Sequence, residues 1–259
     1  MEKSIIISII LFSVLMGHAQ QVEREIVMTQ AGTLSTLLPA EERCQVEKLT
    51  ICGPMNGSDL MVLHDILDEF ARPCSLEYLD LSKARLNGGQ WGGSALSPNV
   101  IPYGMLAWGG RLRTFIFPEE IVEIGGNAFY MCSGMQSLDI PGSVISIGEQ
   151  AFYYCRGLKY IIMHSMVPPS CESMVFGGMD TGKIPLYVPT GSKQSYVADK
   201  TFSIFSDIRE YDETAGVVNM QAEKKKITNA DVIYDLQGQK AVKVKSGIYI
   251  TNGRKMVIK

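Results

Sequence analysis

LRTFIFPEEIVEIGGNAFYMCSG, residues 112–134, aligns without a gap on MQSLDIPGSVISIGEQAFYYCRG, residues 135–157. The period is 23 residues, and the identical pairs are Pro118/Pro141, Ile124/Ile147, Gly125/Gly148, Ala128/Ala151, Phe129/Phe152, Tyr130/Tyr153, Cys132/Cys155 and Gly134/Gly157. Apolar residues hold the first, fourth and sixth positions of each unit: Leu112, Phe115 and Phe117, then Met135, Leu138 and Ile140. The last two alternate as a half-buried strand requires. The Pro that follows cannot donate to a ladder, so the strand stops and the chain turns. A single unit cannot bury its own apolar face, whereas neighbours stacked strand on strand make a continuous core. The repeat therefore predicts a solenoid, with Phe129 over Phe152 and Ile124 over Ile147.

Working outward, the same opening recurs as Val46-x-x-Leu49-x-Ile51, Leu76-x-x-Leu79-x-Leu81, Leu158-x-x-Ile161-x-Met163 and Leu186-x-Val188-Pro189, so about six short strands stack. The closing half also recurs early. Ile101, Leu106, Gly109 and Leu112 repeat the spacing of Ile124, Phe129, Cys132 and Met135, after a Gly-rich insertion around Asn87 to Gly93. The third unit departs from the pattern: VPPSCESMVF has no Ile-Gly, and Phe176 falls one residue late. An irregular unit is expected there.

The unit Leu-x-x-Leu-x-Leu-Pro-x-x-Val-x-x-Ile-Gly-x-x-Ala-Phe-x-x-Cys resembles the BspA-like class of bacterial leucine-rich repeats. LTICGPMNGSDLMVLHDI (49–66) with LEYLDLSKARL (76–86) is similar to that family's N-terminal cap, and LYVPTGSKQSYV (186–197) to the segment that ends its solenoid. The resemblance spans roughly residues 30–211. It implies surface or secreted proteins of gut and oral anaerobes, some of which adhere to host proteins or other cells, and it brings no catalytic residues. The expected fold is α/β: a right-handed leucine-rich-repeat solenoid of about six parallel strands, with an N-terminal cap and a small C-terminal antiparallel β segment.

The flanks are read from composition. Ser4 to Met16 is almost wholly apolar and is followed by Gly17-His18-Ala19, which fits a signal peptide (1–19) cleaved after Ala19. The run is too short for a comfortable membrane span, and no later segment approaches one. The expected mature chain comprises a cap (20–75), the solenoid (76–211), a polar linker (212–229) and a β tail (230–259). In the tail, Gly238 and Asn252-Gly253 signal turns. The tail resembles the C-terminal, secretion-type tails of exported proteins of the same bacteria, although it is shorter than a full sorting domain. From Gln221 onward nine Lys or Arg stand against three Asp or Glu. The net charge of −3 gives no global field for nucleic acid, so no nucleic-acid partner is expected.

Six cysteines, at 44, 52, 74, 132, 155 and 171, would invite disulfides in an exported chain. Cys132 and Cys155 share a repeat position and are expected to stack as buried free thiols. Connectivity of the other four stays open. No Cys-x-x-Cys is present, so no metal or other cofactor is expected.

The mature chain keeps two histidines, and no Gly-x-Ser-x-Gly, His-Glu-x-x-His, phosphate loop or dinucleotide fingerprint accompanies them. His64 lies in a helical stretch and His164 at the repeat's Pro position, so both read as structural. A non-enzymatic protein is expected, with a monomer as its state. The functional expectation concerns the third and fifth positions of each unit, which point away from the core. These are Lys48 and Thr50, Tyr78 and Asp80, Thr114 and Ile116, Ser137 and Asp139, Tyr160 and Ile162, then Tyr187. Such a face would take a protein or glycan ligand, with Tyr78 and Tyr160 foremost. Adhesion or recognition at the cell surface or after secretion is the leading function. A passive component of the cell envelope is the alternative.

Overall fold

The computed structural model describes residues 22–68 and 74–211, together with the backbone of 233–234, 247–251 and 254–258. The signal segment, the linker and the turn residues Gly238 and Asn252-Gly253 lie outside the described residues.

The chain opens with β1 (Glu23–Val27), α1 (Leu34–Leu37), α2 (Ala40–Arg43), β2 (Lys48–Met55) and α3 (Gly57–Leu67). It continues through β3 (Tyr78–Asp80), β4 (Ala84–Leu86), the hairpin of β5 (Gly89–Trp91) and β6 (Ser94–Leu96), and β7 (Val100–Ile101). Three regular turns of the repeat follow. They contribute β8 (Thr114–Ile116) with β9 (Glu123–Ile124), β10 (Ser137–Ile140) with β11 (Ser146–Ile147), and β12 (Tyr160–Met163) with β13 (Ser170–Cys171). Next come β14 (Leu186–Pro189), α4 (Lys193–Ala198) and β15 (Ile208–Tyr211), and beyond them β16 (Ile233–Tyr234), β17 (Gly247–Thr251) and β18 (Arg254–Ile258).

Two parallel ladders run along the stack. In the first, β1, β2, β3 and β8 pair in that order, as do β10, β12, β14 and β15. Where these two sheets meet, the Gln136 amide donates to the Arg113 carbonyl at 3.0 Å. In the second ladder β7, β9, β11 and β13 are neighbours. Mostly parallel strands in open sheets, with no closed barrel among the described residues, make this a mixed α/β architecture of leucine-rich-repeat type. The first ladder holds eight strands rather than about six. β1 adds in register at one end (Ile26↔Ile51), and β15 adds at the other (Leu186↔Ile208).

The core lies between the ladders. Leu49, Leu79, Phe115, Leu138, Ile161 and Leu186 point inward from the first ladder, and Ile101, Ile124 and Ile147 from the second, all in one buried cluster. Phe129 and Phe152 stack at 5.1 Å, and Phe152 and Phe176 at 5.7 Å, so the aromatic file extends through the third unit. The expected irregularity is thereby corrected. The extra residue is absorbed in the loop after β12, because Cys171 pairs with Ile147 and the turn beyond it is back in register. The file ends on Phe202 and Phe205, both packed against Phe176.

Each closing turn is a run of β-turns whose amides bond alternately within their own repeat and to the next. Gly104, Leu106 and Trp108 donate to the carbonyls of Gly126, Ala128 and Tyr130, while Met105, Ala107 and Gly109 donate to carbonyls three residues back. The geometry needs two left-handed residues per repeat, Gly104 with Asn127, Gln150 and Met174, and Trp108 with Met131 and Tyr154 before Gly178. Each non-glycine there costs roughly 1–2 kcal/mol. The hydrogen bonds between successive turns offset part of that cost. Gly134 is required for a different reason: a Cβ at this position would stand 2.1 Å from the Gly110 carbonyl oxygen of the preceding repeat.

At the N-terminal end, the buried Asp59 carboxylate accepts the amides of Gly32 (2.6 Å), Leu34 (2.9 Å) and Asn56 (2.9 Å), and so fastens the loop after β1 to α3. A disulfide joins Cys44 to Cys74. Cys52, Cys132, Cys155 and Cys171 stand outside the disulfide as thiols, with Cys132 and Cys155 buried and donating to the carbonyls of Leu106 and Phe129. Burial pushes the Cys155 thiol well above its ordinary range, which keeps it protonated and unreactive.

Candidate functional site

Strand alternation sends every second side chain of the first ladder to its outer face, and the parallel register aligns these residues strand by strand. Lys48 pairs with Tyr78 and Thr50 with Asp80. Tyr78 pairs with Thr114 and Asp80 with Ile116. Farther along, Ser137 pairs with Tyr160, Asp139 with Ile162, and Ile162 with Tyr187. The eleven expected residues therefore share one face. Asp80 and Asp139 stay apart on it, separated by the rung of β8.

That face divides into two chemistries. Its N-terminal half is polar and partly exposed: Asp80 accepts the Ser82 amide at 2.8 Å and meets the Tyr78 hydroxyl at 3.4 Å. Lys48 pairs with Glu23 at 2.6 Å across β1 and β2. Carboxylate oxygens and a phenol are thus presented from rigid backbone.

The C-terminal half corrects the expectation of a uniformly exposed face. Ile162 is 5% exposed and Tyr187 6%, because with Tyr211 they form a second small apolar cluster outside the main core. Tyr160 packs against this cluster, its ring edge-on to Tyr187 at 6.4 Å. Its neighbours on that side are therefore large and apolar. The Arg209 guanidinium lies over the Tyr187 ring at 5.8 Å and is held by Asp207. Tyr211 and Arg209 belong to β15, whose sequence IREY lacks the apolar spacing of the other strands.

His164, immediately after β12, projects onto the same face. Its Nε2 meets Asp139 Oδ1, and its Nδ1 lies 2.8 Å from the Tyr211 hydroxyl. His64 is elsewhere, with Nδ1 3.0 Å from the Met105 carbonyl oxygen and its ring edge-on to Trp91. Among the described residues no group of three His, Cys, Asp or Glu could hold a metal ion. No helix among them is long and apolar enough to cross a membrane.

A further aromatic file runs along the closing turns, where sequence reasoning did not look for it. Trp108 meets Tyr130 edge-on at 5.2 Å, Tyr130 and Tyr153 stack at 5.4 Å, and Arg156 lies over Tyr154 at 4.2 Å. The Tyr130/Tyr153 identity was its visible signal. Because these ring faces are spent on one another and on Arg156, the file reads as packing between repeats rather than as a platform for a ligand.

Residues 100–208 match the family model for the BspA type leucine-rich repeat region, in six copies. No curated protein matches the chain. Parallel strands, the 23-residue repeat and this match together support a BspA-like leucine-rich-repeat protein, of a repeat class that suggests a protein-binding role.

Proposed function

We propose that the chain is an exported or cell-surface binding protein that recognises a host protein or a glycan through the outer strand face, and that it catalyses no reaction. One observation carries this reading: an outer face, built from two parallel sheets that meet between β8 and β10, on which Tyr78, Asp80, Asp139 and Tyr160 stand at strand spacing. Solenoids bind along such faces because the backbone is already ordered, so little entropy is lost on association. Export is supported by the apolar leader, which gives a mature chain starting at Gln20. The coil is taken as right-handed, the rule for parallel crossovers. The tail is taken as a separate antiparallel unit, on the backbone pairing of β17 with β16 and β18. A passive envelope component is the second reading, favoured by the way Ile162, Tyr187 and Tyr211 already satisfy one another.

The test is to screen the mature protein against immobilised glycans, mucin and extracellular-matrix proteins, beside a glycoside and peptide turnover panel. Saturable binding to one of these surfaces without turnover is expected. A folded protein that binds none of them supports the passive reading, and turnover abolished by a point mutation overturns the non-enzymatic one.

A further inference from the structure

The hairpin of β5 and β6 forms a sheet of its own, outside both ladders. It is nevertheless fastened to the rest of the chain. The Gly57 amide at the start of α3 donates to the Gly88 carbonyl at 3.0 Å. The Trp91 indole Nε1 donates to the Tyr103 carbonyl at 2.9 Å, and its ring lies edge-on to His64 at 5.8 Å. Gly57 permits the approach, because a Cβ there would stand 1.8 Å from the Gln90 carbonyl oxygen. Gly89, next to it on β5, has no side chain to fill the space beside the helix. An open groove of about 420 Å³ is left between α3 and β5. Small-ligand sites run from about 300 to 1,000 Å³ and are mostly formed before the ligand arrives.

One stripe of α3 sets the chemistry of the groove. Ser58, Met61 and Asp65 follow one another at intervals of three and four residues, so they share a face, and all three are exposed. Leu60, Leu63, Ile66 and Leu67 of the same helix are in the core. Met61 and Val62 give the groove an apolar floor, and Asp65 stands one turn farther along, with about 5–6 Å between the Met61 and Asp65 Cβ atoms. Asp65 is the only charged side chain among the lining residues, and it forms no ion pair within the described residues. The Ser58 hydroxyl donates to Asn56 Oδ1 at 2.7 Å, which leaves its oxygen able to accept.

We propose that this groove binds a lysine side chain of a polypeptide partner, with the aliphatic stem along Met61 and Val62 and the ammonium at the Asp65 carboxylate. Lysine combines the two features the groove asks for, an apolar stem of about one helical turn in length and a cationic tip. A purely aliphatic side chain would leave Asp65 unpaired, and an acidic one would be repelled by it. The wider field has the same sign, since residues 20–220 carry 14 Lys or Arg against 23 Asp or Glu. The Gln90 amide and the Ser58 oxygen remain for the partner's backbone. None of the lining residues belongs to the outer strand face, so this site stands or falls independently of that reading.

Nuclear magnetic resonance of the full mature chain, labelled with ¹³C at the methionine methyls, tests the site. The probes are the blocked peptide Gly-Gly-Lys-Gly-Gly and its norleucine counterpart, which keeps the stem and lacks the ammonium. The Met61 methyl is the reporter, and Met166, 54% exposed between β12 and β13, is the control. The lysine peptide is expected to shift Met61 saturably and to leave Met166 unmoved. The norleucine peptide should bind about two- to fivefold more weakly, the worth of an exposed ion pair. In Asp65→Asn the lysine peptide should fall to the norleucine level. No saturable shift at Met61, an equal shift at Met166, or equal affinity for the two peptides in the parent overturns the proposal. So does a preference for lysine that survives in Asp65→Asn. The two peptides are compared on the parent protein, so the test decides even if that variant does not fold.

Discussion

Phe152→Ala is expected to destabilise the solenoid by about 3–5 kcal/mol, the usual cost of truncating a fully buried Phe. Phe152 has no measurable exposure and stacks between Phe129 and Phe176, so removal of its ring leaves a cavity with an aromatic wall on each side. Neighbouring repeats cannot close it, because their spacing is set by two hydrogen-bonded ladders. For a domain of this size the loss corresponds to a fall in Tm of roughly 6–20 °C. Ile145→Ala is the matched control: Ile145 is 68% exposed, and its truncation is expected to change stability by less than about 0.5 kcal/mol. A Tm unchanged in Phe152→Ala would contradict the aromatic file.

The second large effect belongs to the Cys44–Cys74 disulfide, which closes a loop with a sequence separation of 30. Loop-closure entropy alone assigns such a crosslink about 3–4 kcal/mol. The double variant Cys44→Ala, Cys74→Ala is therefore expected to melt well below the parent under oxidising conditions, with lost amide protection concentrated in β2 and α3. Equal melting of the two proteins would contradict a stabilising role. Cys74 is buried beside Leu76, so the replacement also removes a little apolar packing, and single Cys74→Ala separates the two contributions.

How much of this was legible depended on whether a feature repeats. The strand positions, the inward Leu and Phe residues and the Phe129/Phe152 stack follow from two gap-free units, because one period fixes both the alternation and the neighbour. β1 and β15 were not legible: EREIV and IREY carry too few apolar residues to signal a strand, and each is set by pairing with a partner already in place. Phe176 was misjudged for a physical reason. An extra residue was counted against the whole repeat, although a loop can take up an insertion without disturbing the ladders on either side.

The candidate site was half legible. Alternation gave the outward residues from Lys48 to Tyr187, and register put them on one face. Its burial could not be read, since Ile162 and Tyr187 are covered through Tyr211, an unrecognised strand residue from the far end of the stack. The His164 junction was hidden likewise. A histidine at a repeat's Pro position shows only that the usual residue is missing. Its partners Asp139 and Tyr211 come from 25 and 47 residues away.

The central claim is that the outer strand face binds the ligand, and the most direct measurement is the affinity of Tyr78→Ala, Tyr160→Ala against the parent, for whichever glycan or matrix protein the screen returns. Both residues are on the face and outside the main core, so Tm is expected to move by only a few degrees. Affinity should fall at least tenfold, since aromatic anchors of this kind carry about 1–2 kcal/mol or more each. Full affinity in a double variant with an unchanged Tm would contradict the account and place the ligand elsewhere, with the Gly-rich hairpin of β5 and β6 around Trp91 the next surface to probe.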